Sequence, residues 1–230
     1  MDSRLRGNDK EKSMTKKKNK QKNNLYISVT GVMGSGKTTL CKLLSKKLGV
    51  PIIEENFKEN IFLPLYYEEP KAWALHSQLF CLREKTAQLN ELKEMLASSS
   101  VIQDTPVYQD VFTYAEAQRT LGYMTKSEHE VYHQFFESFN KGLPKPHLIV
   151  QLKADPATLL ARIRARGREF EKSINADYLK TLSDLQDKWV KKYPGKVMVV
   201  EVNNADKDIM KDKKYQKEVL EKVVEKIKEL

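Results

Sequence analysis

Residues 25–40 read LYISVTGVMGSGKTTL, an apolar segment that runs into Gly31-x-x-x-x-Gly36-Lys37-Thr38 and then into helix-forming sequence. A strand before the glycines and a helix after them is the context in which this pattern forms a phosphate-binding loop. Glycine lets backbone N–H groups turn inward around phosphate oxygens, because a Cβ would obstruct that approach. The segment therefore predicts a chain that binds a nucleoside triphosphate.

Individual positions of the loop have predicted roles. Lys37 supplies a cation for the β- and γ-phosphates, and the Thr38 hydroxyl is placed to bind Mg²⁺. The helix that follows directs its positive end at the anion. A glycine-rich turn that matches by accident is the alternative, and the flanking strand and helix disfavour it. The residues predicted to contact ATP in this segment are Gly31, Val32, Met33, Gly34, Ser35, Gly36, Lys37, Thr38 and Thr39.

Outside the loop, the apolar pattern alternates between short strands and longer helices. This alternation predicts an α/β fold, a doubly wound parallel sheet of five strands with helices on both faces. Residues 25–230 are predicted to form one domain, because no repeat or linker divides them. The predicted strands lie at 25–30, 51–54, 101–103, 147–152 and 197–202. The predicted helices lie at 37–48, 70–97, 109–122, 126–141, 155–166, 175–193 and 208–229.

Positive charge is concentrated at the N-terminus. The chain of 230 residues carries a formal net charge of +10. Residues 1–24 hold nine Lys/Arg and three Asp/Glu, so this segment accounts for +6 of the total. It has almost no apolar residues, which predicts a disordered basic tail, and Met14 within it is an alternative start. An arm that binds nucleic acid is the alternative interpretation of this tail, and a solvated tail is the more common one.

Cysteine usage and hydropathy bear on the cellular compartment. Cys41 and Cys81 lack the spacing of metal ligands and sit in apolar helical patterns, which predicts buried free thiols. No apolar run reaches the length of a membrane span, and no signal peptide is evident. These features predict a cytoplasmic protein that is not bound to a membrane.

Three further segments carry candidates for the second substrate. Glu55 follows the second predicted strand, and strand ends line the ligand crevice of a doubly wound sheet. Asp104 ends the third strand, where P-loop enzymes keep a carboxylate that works with Mg²⁺. Arg162, Arg166 and Arg168 surround a helix-breaking glycine. A mobile arginine-rich lid near 162–172 would neutralise the charge that develops in phosphoryl transfer.

From Leu25 to about Asn204 the chain resembles the deoxynucleoside kinases, the group of deoxycytidine, deoxyguanosine and deoxyadenosine kinases. The resemblance implies a P-loop nucleoside kinase fold and transfer of the ATP γ-phosphoryl group to the 5′-hydroxyl of a deoxynucleoside, in nucleotide salvage. It implies that Glu55 takes the proton of that hydroxyl. Asp104 and Thr38 would hold Mg²⁺, the cofactor of the reaction.

The resemblance also implies roles for residues around the acceptor and the donor. Tyr67 would approach the sugar 3′-hydroxyl, Gln78 the base edge, and Glu171 in the lid the acceptor sugar. A homodimer through the long helices is implied as well. The remaining residues with an implied role are Asp110 near the base, Asn203 and Asn204 beside the donor adenine, and the lid residues Arg162, Arg166 and Arg168.

The sequence departs from the family pattern directly after Asp104. Thr105 stands where the family has an arginine, and Pro106 then predicts extended geometry for Thr105. Arg83, on the helix that carries Gln78, is the candidate substitute for the missing guanidinium. An Asp-Thr-Pro turn without a catalytic role is the alternative. This departure bears on acceptor specificity, and the choice between purine and pyrimidine stays open.

Two other functions are compatible with a phosphate-binding loop. A nucleoside monophosphate kinase of the thymidylate type shares the loop and the lid, but it needs a basic site for the acceptor phosphate, and no suitable arginine follows Asp104. A P-loop ATPase associated with nucleic acid would use the basic tail. That function gives no role to Glu55, Tyr67 and Gln78, and nothing in the sequence resembles a water-orienting switch.

Overall fold

A computed structural model describes residues 24–56, 59–203 and 207–230. The predicted α/β fold is confirmed, because the described residues form a five-stranded parallel sheet in the order β2-β3-β1-β4-β5. The central strand β1 therefore has β3 and β4 as its neighbours, and the phosphate-binding loop leaves the middle of the sheet. The strands are β1 (Tyr26–Thr30), β2 (Ile52–Ile53), β3 (Val101–Asp104), β4 (Leu148–Lys153) and β5 (Lys196–Glu201).

Helices cover both faces of this sheet. They are α1 (Lys37–Leu48), α2 (Leu63–Glu68), α3 (Pro70–Leu96), α4 (Val107–Gln109), α5 (Glu116–Thr120), α6 (Lys126–Asn140), α7 (Pro156–Arg166), α8 (Ala176–Lys192) and α9 (Lys213–Lys228). The predicted helix at 109–122 is divided, because a π-helical turn, Asp110–Ala115, joins α4 to α5. The sequence did not predict α2. The predicted helix at 208–229 begins later, at α9, because the Asp212 side chain caps it there.

Local capping chemistry explains where several helices begin and end. Thr125 and Glu128 form a reciprocal capping box at the start of α6. Asp155 accepts from the Thr158 N–H at the start of α7, and that helix ends at Gly167, whose φ is 68°. A left-handed residue at this position favours glycine. The predicted lid segment continues directly after this glycine.

Each face of the sheet packs its own apolar cluster. Because strand side chains alternate between faces, β1 directs Ile27 and Val29 to one cluster and Tyr26 to the other. The first cluster includes residues of α1, α7 and α9, and the second includes residues of α3 and α6. Burying one such side chain stabilises the fold by roughly 1.5–3 kcal/mol. The sheet is thereby a rigid base for the loops at its carboxyl edge.

The N-terminal boundary of the described chain is attached to this core. The Asn24 side-chain amide donates to the Leu96 carbonyl oxygen at 2.9 Å. The sequence predicts a disordered tail over residues 1–24. Residues 1–23 of this segment lie outside the described residues. Within the described part of the chain, no helix combines the length and the apolarity that crossing a membrane requires.

Candidate active site

A cavity of about 450 Å³ opens at the carboxyl ends of the strands. Ligands of open parallel sheets bind in this crevice. The phosphate-binding loop forms one wall, α2 and α3 form another, and the segment after α7 faces them. The predicted site residues that line this central cavity are Met33, Gly34, Gly36, Lys37, Thr38, Thr39, Glu55, Tyr67, Gln78, Asp104, Asp110, Arg166, Arg168 and Glu171.

The side chain of Gln109, which the sequence did not predict as a site residue, holds the start of the phosphate-binding loop in place. The Gln109 amide donates to the Gly31 carbonyl oxygen at 2.9 Å and accepts from the Gly31 N–H at 3.0 Å. The Lys37 ammonium donates to the same carbonyl oxygen at 2.9 Å. A Cβ on Gly31 would lie 2.5 Å from the Leu152 carbonyl oxygen, so only glycine fits. Val32 and Ser35 belong to the loop, and both are buried.

Two oxygen ligands meet where the loop faces β3. The Thr38 hydroxyl donates to Asp104 Oδ2 at 2.6 Å, and Asp104 is almost completely buried. Mg²⁺ prefers hard oxygen ligands and keeps several waters, so one hydroxyl and one carboxylate beside an open cavity suit it. The donor set at this position fits the ion that the sequence predicts.

The Thr105 hydroxyl links this pair to the candidate base. Thr105 Oγ1 lies 3.2 Å from Glu55 Oε2 and 3.2 Å from Asp104 Oδ1. A single hydroxyl proton serves one of these carboxylates at a time. Glu55 and Asp104 are thus held on either side of one small side chain, with the cavity in front of both.

The backbone at Thr105 corrects the predicted extended geometry. Its φ is 62°, in the left-handed region, where a β-branched residue is strained. The surroundings impose this conformation on the residue before Pro106. The Thr105 N–H donates to the Val29 carbonyl oxygen at 3.0 Å, and the Lys85 ammonium donates to the Thr105 carbonyl oxygen at 2.6 Å.

Lys85, rather than Arg83, brings a cation to this part of the site. Lys85 lies seven positions after Gln78, which is about two helical turns, so both residues lie on one face of α3. Arg83 is five residues from Gln78, about 140° around the helix. Its guanidinium lies 2.8 Å from Glu84 Oε1, and the side chain is 68% exposed. Lys85 is 3% exposed, and it also donates to the Asp104 carbonyl oxygen at 3.3 Å.

Buried polar atoms without partners belong to residues that line the part of the cavity predicted to hold the acceptor. Within the described residues, Gln78 Oε1 and Asp110 Oδ2 have no hydrogen-bond partner. Burial raises the pKa of the Asp110 carboxyl to about 7, although Lys85 and Lys37 act to lower it. Unsatisfied buried oxygens are costly, and they point to a ligand that donates hydrogen bonds.

The tyrosines of α2 form a wall that the sequence predicted only in part. The Tyr66 hydroxyl donates to Gln118 Oε1 at 2.9 Å and lies 3.3 Å from the Tyr178 hydroxyl. The Tyr67 and Phe170 rings stack with their centroids 5.7 Å apart, so the lid segment contacts α2. The sequence predicted a role for Tyr67, but it predicted neither α2 nor the partners of Tyr66. It also missed the lining residues Lys42, Glu54, Leu63, Ser77, Cys81, Tyr114 and Met210.

The lid arginines are paired with an acidic residue of the same segment. Arg166 donates to both carboxylate oxygens of Glu171, with Nε at 2.9 Å and Nη2 at 2.6 Å. Arg168 Nη1 donates to Glu171 Oε1 at 3.2 Å. Glu171 is 6% exposed, so this charge-assisted pairing compensates for its burial.

Besides Arg83, two predicted site residues outside the phosphate-binding loop lie away from the central cavity. Arg162 Nη2 is 3.5 Å from Asp208 Oδ1, so its guanidinium turns towards the segment before α9. Asn203 Oδ1 accepts from the Asp155 N–H at 2.7 Å and braces the start of α7. Neither lines the cavity. Asn204 lies outside the described residues.

The position of the phosphate loop at the end of the central strand, opposite a carboxylate on β3, places the chain among the P-loop phosphotransferases. Comparison with known proteins narrows this class. The family model for deoxynucleoside kinases matches residues 27–228. The chain therefore belongs to the deoxynucleoside kinase family and is a kinase, as the sequence predicts.

Individual relatives agree with this assignment. The deoxyguanosine kinase of Bacillus subtilis (strain 168) is 34% identical over 193 residues, which cover 82% of this chain and 90% of the relative. The deoxyadenosine/deoxycytidine kinase of the same organism is 27% identical over 202 residues, covering 87% of this chain and 92% of the relative. A solved structure of deoxyadenosine kinase from M. mycoides with its products dCMP and a flexible dCDP is similar, with a TM-score of 0.75 and 25% identity. That match covers 90% of this chain and all of the other.

Proposed function

We propose that the protein transfers the γ-phosphoryl group of ATP to the 5′-hydroxyl of a deoxynucleoside, with Glu55 as the base. The observation that carries this proposal is the row Glu55–Thr105–Asp104–Thr38, in which each side chain is within 3.2 Å of the next. The row joins the candidate base to the end of the phosphate-binding loop. It supports an acceptor alcohol on one side and a triphosphate on the other.

Glu55 accepts the proton as the 5′-oxygen attacks the γ-phosphorus. A bond forms between these two atoms, while the bond from the γ-phosphorus to the bridging oxygen breaks and ADP leaves with that oxygen. The Thr105 hydroxyl holds the carboxylate in position. Because the protein does little covalent chemistry in such a transfer, positioning and charge neutralisation supply most of the catalysis.

Charge on the transferred group is neutralised from two sides. Lys37 approaches the β- and γ-phosphates from the loop, and Arg166 and Arg168 approach from the lid. In the present conformation both arginines are occupied by Glu171. Arrival of the triphosphate offers them a stronger anion, which leaves the Glu171 carboxylate to accept a hydrogen bond from the acceptor sugar. Tyr67, also in the wall, is placed for the same sugar.

Mg²⁺ is the cofactor of the proposed reaction. Thr38 and Asp104 would hold it, and the ion would supply positive charge that offsets the charge of the triphosphate. Removal of divalent cations with a chelator should therefore abolish turnover, and added Mg²⁺ should restore it.

The acceptor wall supports guanine as the preferred base. Gln78 Oε1 and, when its carboxyl is ionised, Asp110 Oδ2 are two buried acceptors without partners among the described residues. Guanine presents two adjacent donors, N1–H and N2–H₂, whereas adenine presents one amino donor beside an acceptor nitrogen. The deoxyguanosine kinase of Bacillus subtilis, at 34% identity, agrees with this choice.

Steady-state kinetics with ATP, Mg²⁺ and each of the four common deoxynucleosides tests the proposal. We expect the highest kcat/KM with deoxyguanosine, and no phosphorylation of dGMP or thymidine monophosphate. A higher kcat/KM for another deoxynucleoside would refute guanine selectivity alone. Faster phosphorylation of a monophosphate would refute the acceptor class, because a monophosphate kinase of the thymidylate type would then fit better.

We further infer a homodimer, as the family resemblance implies, and a cytoplasmic location, as the sequence predicts. Val131 and Phe135 are exposed and lie four residues apart on α6, so they support an interface that includes this helix. Sedimentation velocity distinguishes a dimer from a monomer, and Phe135→Glu should shift the equilibrium towards the monomer. A monomer at micromolar concentration would contradict the inference.

A further inference from the structure

Glu116, His129 and His133 converge on one point outside the central cavity. His133 Nε2 lies 3.2 Å from His129 Nε2. Glu116 Oε1 lies 3.3 Å from His129 Nε2 and 3.4 Å from His133 Nε2. The two histidines are four residues apart and therefore share a face of α6, while Glu116 begins α5. The three atoms form a nearly equilateral triangle.

The size of this triangle matches the coordination sphere of a tetrahedral metal ion. Zinc binds imidazole nitrogen and carboxylate oxygen at about 2.0–2.2 Å, so two ligand atoms of a tetrahedron lie roughly 3.3–3.6 Å apart. The two distances to Glu116, 3.3 and 3.4 Å, lie within this interval, and the distance of 3.2 Å between the histidines is just below it. Two imidazoles and one carboxylate are also the donor types that zinc-type transition metals select over Mg²⁺ and Ca²⁺.

Hydrogen bonds satisfy this arrangement only in part. If one imidazole donates its Nε2–H to the other, neither ring has a second Nε2–H for the Glu116 carboxylate. If both donate to Glu116, two N–H groups face each other across 3.2 Å. A metal ion would accept one lone pair from each of the three atoms.

The surroundings suit an ion that enters from solvent. The side chains of Glu116, His129 and His133 are 34%, 15% and 26% exposed, so the site is open on one side and sheltered on the other. Phe112 packs against the His133 ring with centroids 6.1 Å apart, which fixes its orientation. The positive charges of Arg119 on α5 and Lys188 on α8 act on the cluster and oppose the binding of a cation, so the Glu116 carboxylate supplies the negative charge that offsets them.

We propose that Glu116, His129 and His133 bind one zinc-type ion, with a fourth position left to water. The ion would clamp α5 to α6. Since α5 continues the π-helical turn that carries Asp110 and Tyr114, the clamp would brace one wall of the central cavity without entering it. The site is distinct from the Thr38–Asp104 pair and does not depend on the proposed phosphoryl transfer.

Metal titration of the full chain, first stripped with a chelator, tests the site. We expect one Zn²⁺ per chain by isothermal titration calorimetry, a Zn²⁺-dependent rise in Tm because the ion binds the native state, and the intense visible absorption of tetrahedral Co²⁺. Loss of an outer-sphere partner lowers metal affinity roughly tenfold. We expect a larger loss of Zn²⁺ affinity in each of the variants His129→Gln, His133→Gln and Glu116→Gln, because each removes a direct ligand.

Matched variants separate this site from other ligands in the chain. His76→Gln alters a histidine outside the cluster, and Asp104→Asn alters the oxygen pair of the phosphate-binding loop. Both should keep Zn²⁺ affinity within about twofold of the parent. Far-UV circular dichroism of Glu116→Gln, the most conservative change, controls for folding. Unchanged Zn²⁺ affinity in His129→Gln and Glu116→Gln, or no Zn²⁺ binding by the parent chain, would overturn the proposal.

Discussion

Glu55 is the residue to which the proposed chemistry assigns the proton. Replacing its carboxylate with an amide keeps size and shape but removes the base, so Glu55→Gln should lower kcat at least about 100-fold, the usual contribution of a positioned base. ATP affinity should be unchanged, because Glu55 does not belong to the phosphate-binding loop. Initial rates and nucleotide binding by fluorescence measure the two effects. Near-normal turnover in Glu55→Gln would contradict the assignment.

Titration of the buried Asp110 carboxyl should make the free energy of unfolding depend on pH. Its pKa is about 7 in the folded chain against an ordinary 3.8, so between these values the folded state keeps a proton that the unfolded state has released. The free energy of unfolding should therefore fall as pH rises from 4 to 7, by at most roughly 1.4 kcal/mol per pH unit from this group.

Asp110→Asn removes this titration. Urea unfolding at pH 5 and pH 8 should show the variant gaining stability relative to the parent as pH rises, because the parent alone acquires a buried charge. Parallel pH profiles for the two proteins would show that the carboxyl does not titrate in this interval.

At the scale of elements, α3 and the end of β3 act as one unit through Lys85. Its ammonium serves the carbonyl oxygens of Asp104 and Thr105. Lys85→Met leaves these buried acceptors without a donor, which should cost roughly 1–3 kcal/mol of the free energy of unfolding. It should also lower kcat, because Thr105 would lose the contact that holds its left-handed backbone.

Arg83→Met is the matched control for that prediction. The two residues are neighbours on α3, but Arg83 is largely exposed, and an exposed pair contributes little. Denaturant unfolding of both variants compares them directly. If Arg83→Met destabilised the protein as much as Lys85→Met, the assignment of Lys85 as the buried cation that holds Thr105 would be contradicted.

The whole molecule combines a charged N-terminal segment with a domain whose charge is modest. Because the residues of the proposed site all follow Asn24, removal of residues 1–23 should leave kcat and both KM values within about twofold of the full chain. Kinetics of the two proteins, with and without added DNA, make the comparison. Loss of activity on truncation would instead mean that the N-terminal segment contributes to catalysis.

Features encoded by local pattern were predictable from the sequence. The phosphate-binding loop, the five strands and the longer helices follow from apolar periodicity and from glycine positions, which act over a few residues. Short or irregular elements escaped prediction. The six residues of α2 carry too little periodicity, and the π-helical turn departs from the α-helical period without a sequence signal.

The sequence by itself determined the class of fold, the position of the phosphate-binding loop and the family. Only the tertiary structure decided that Lys85 rather than Arg83 reaches Thr105, that Tyr66 meets Tyr178 across 112 positions of the chain, and that Glu116 faces two histidines. These contacts join residues far apart in sequence. Packing between elements sets their geometry, and local pattern carries no information about which side chains that packing brings together.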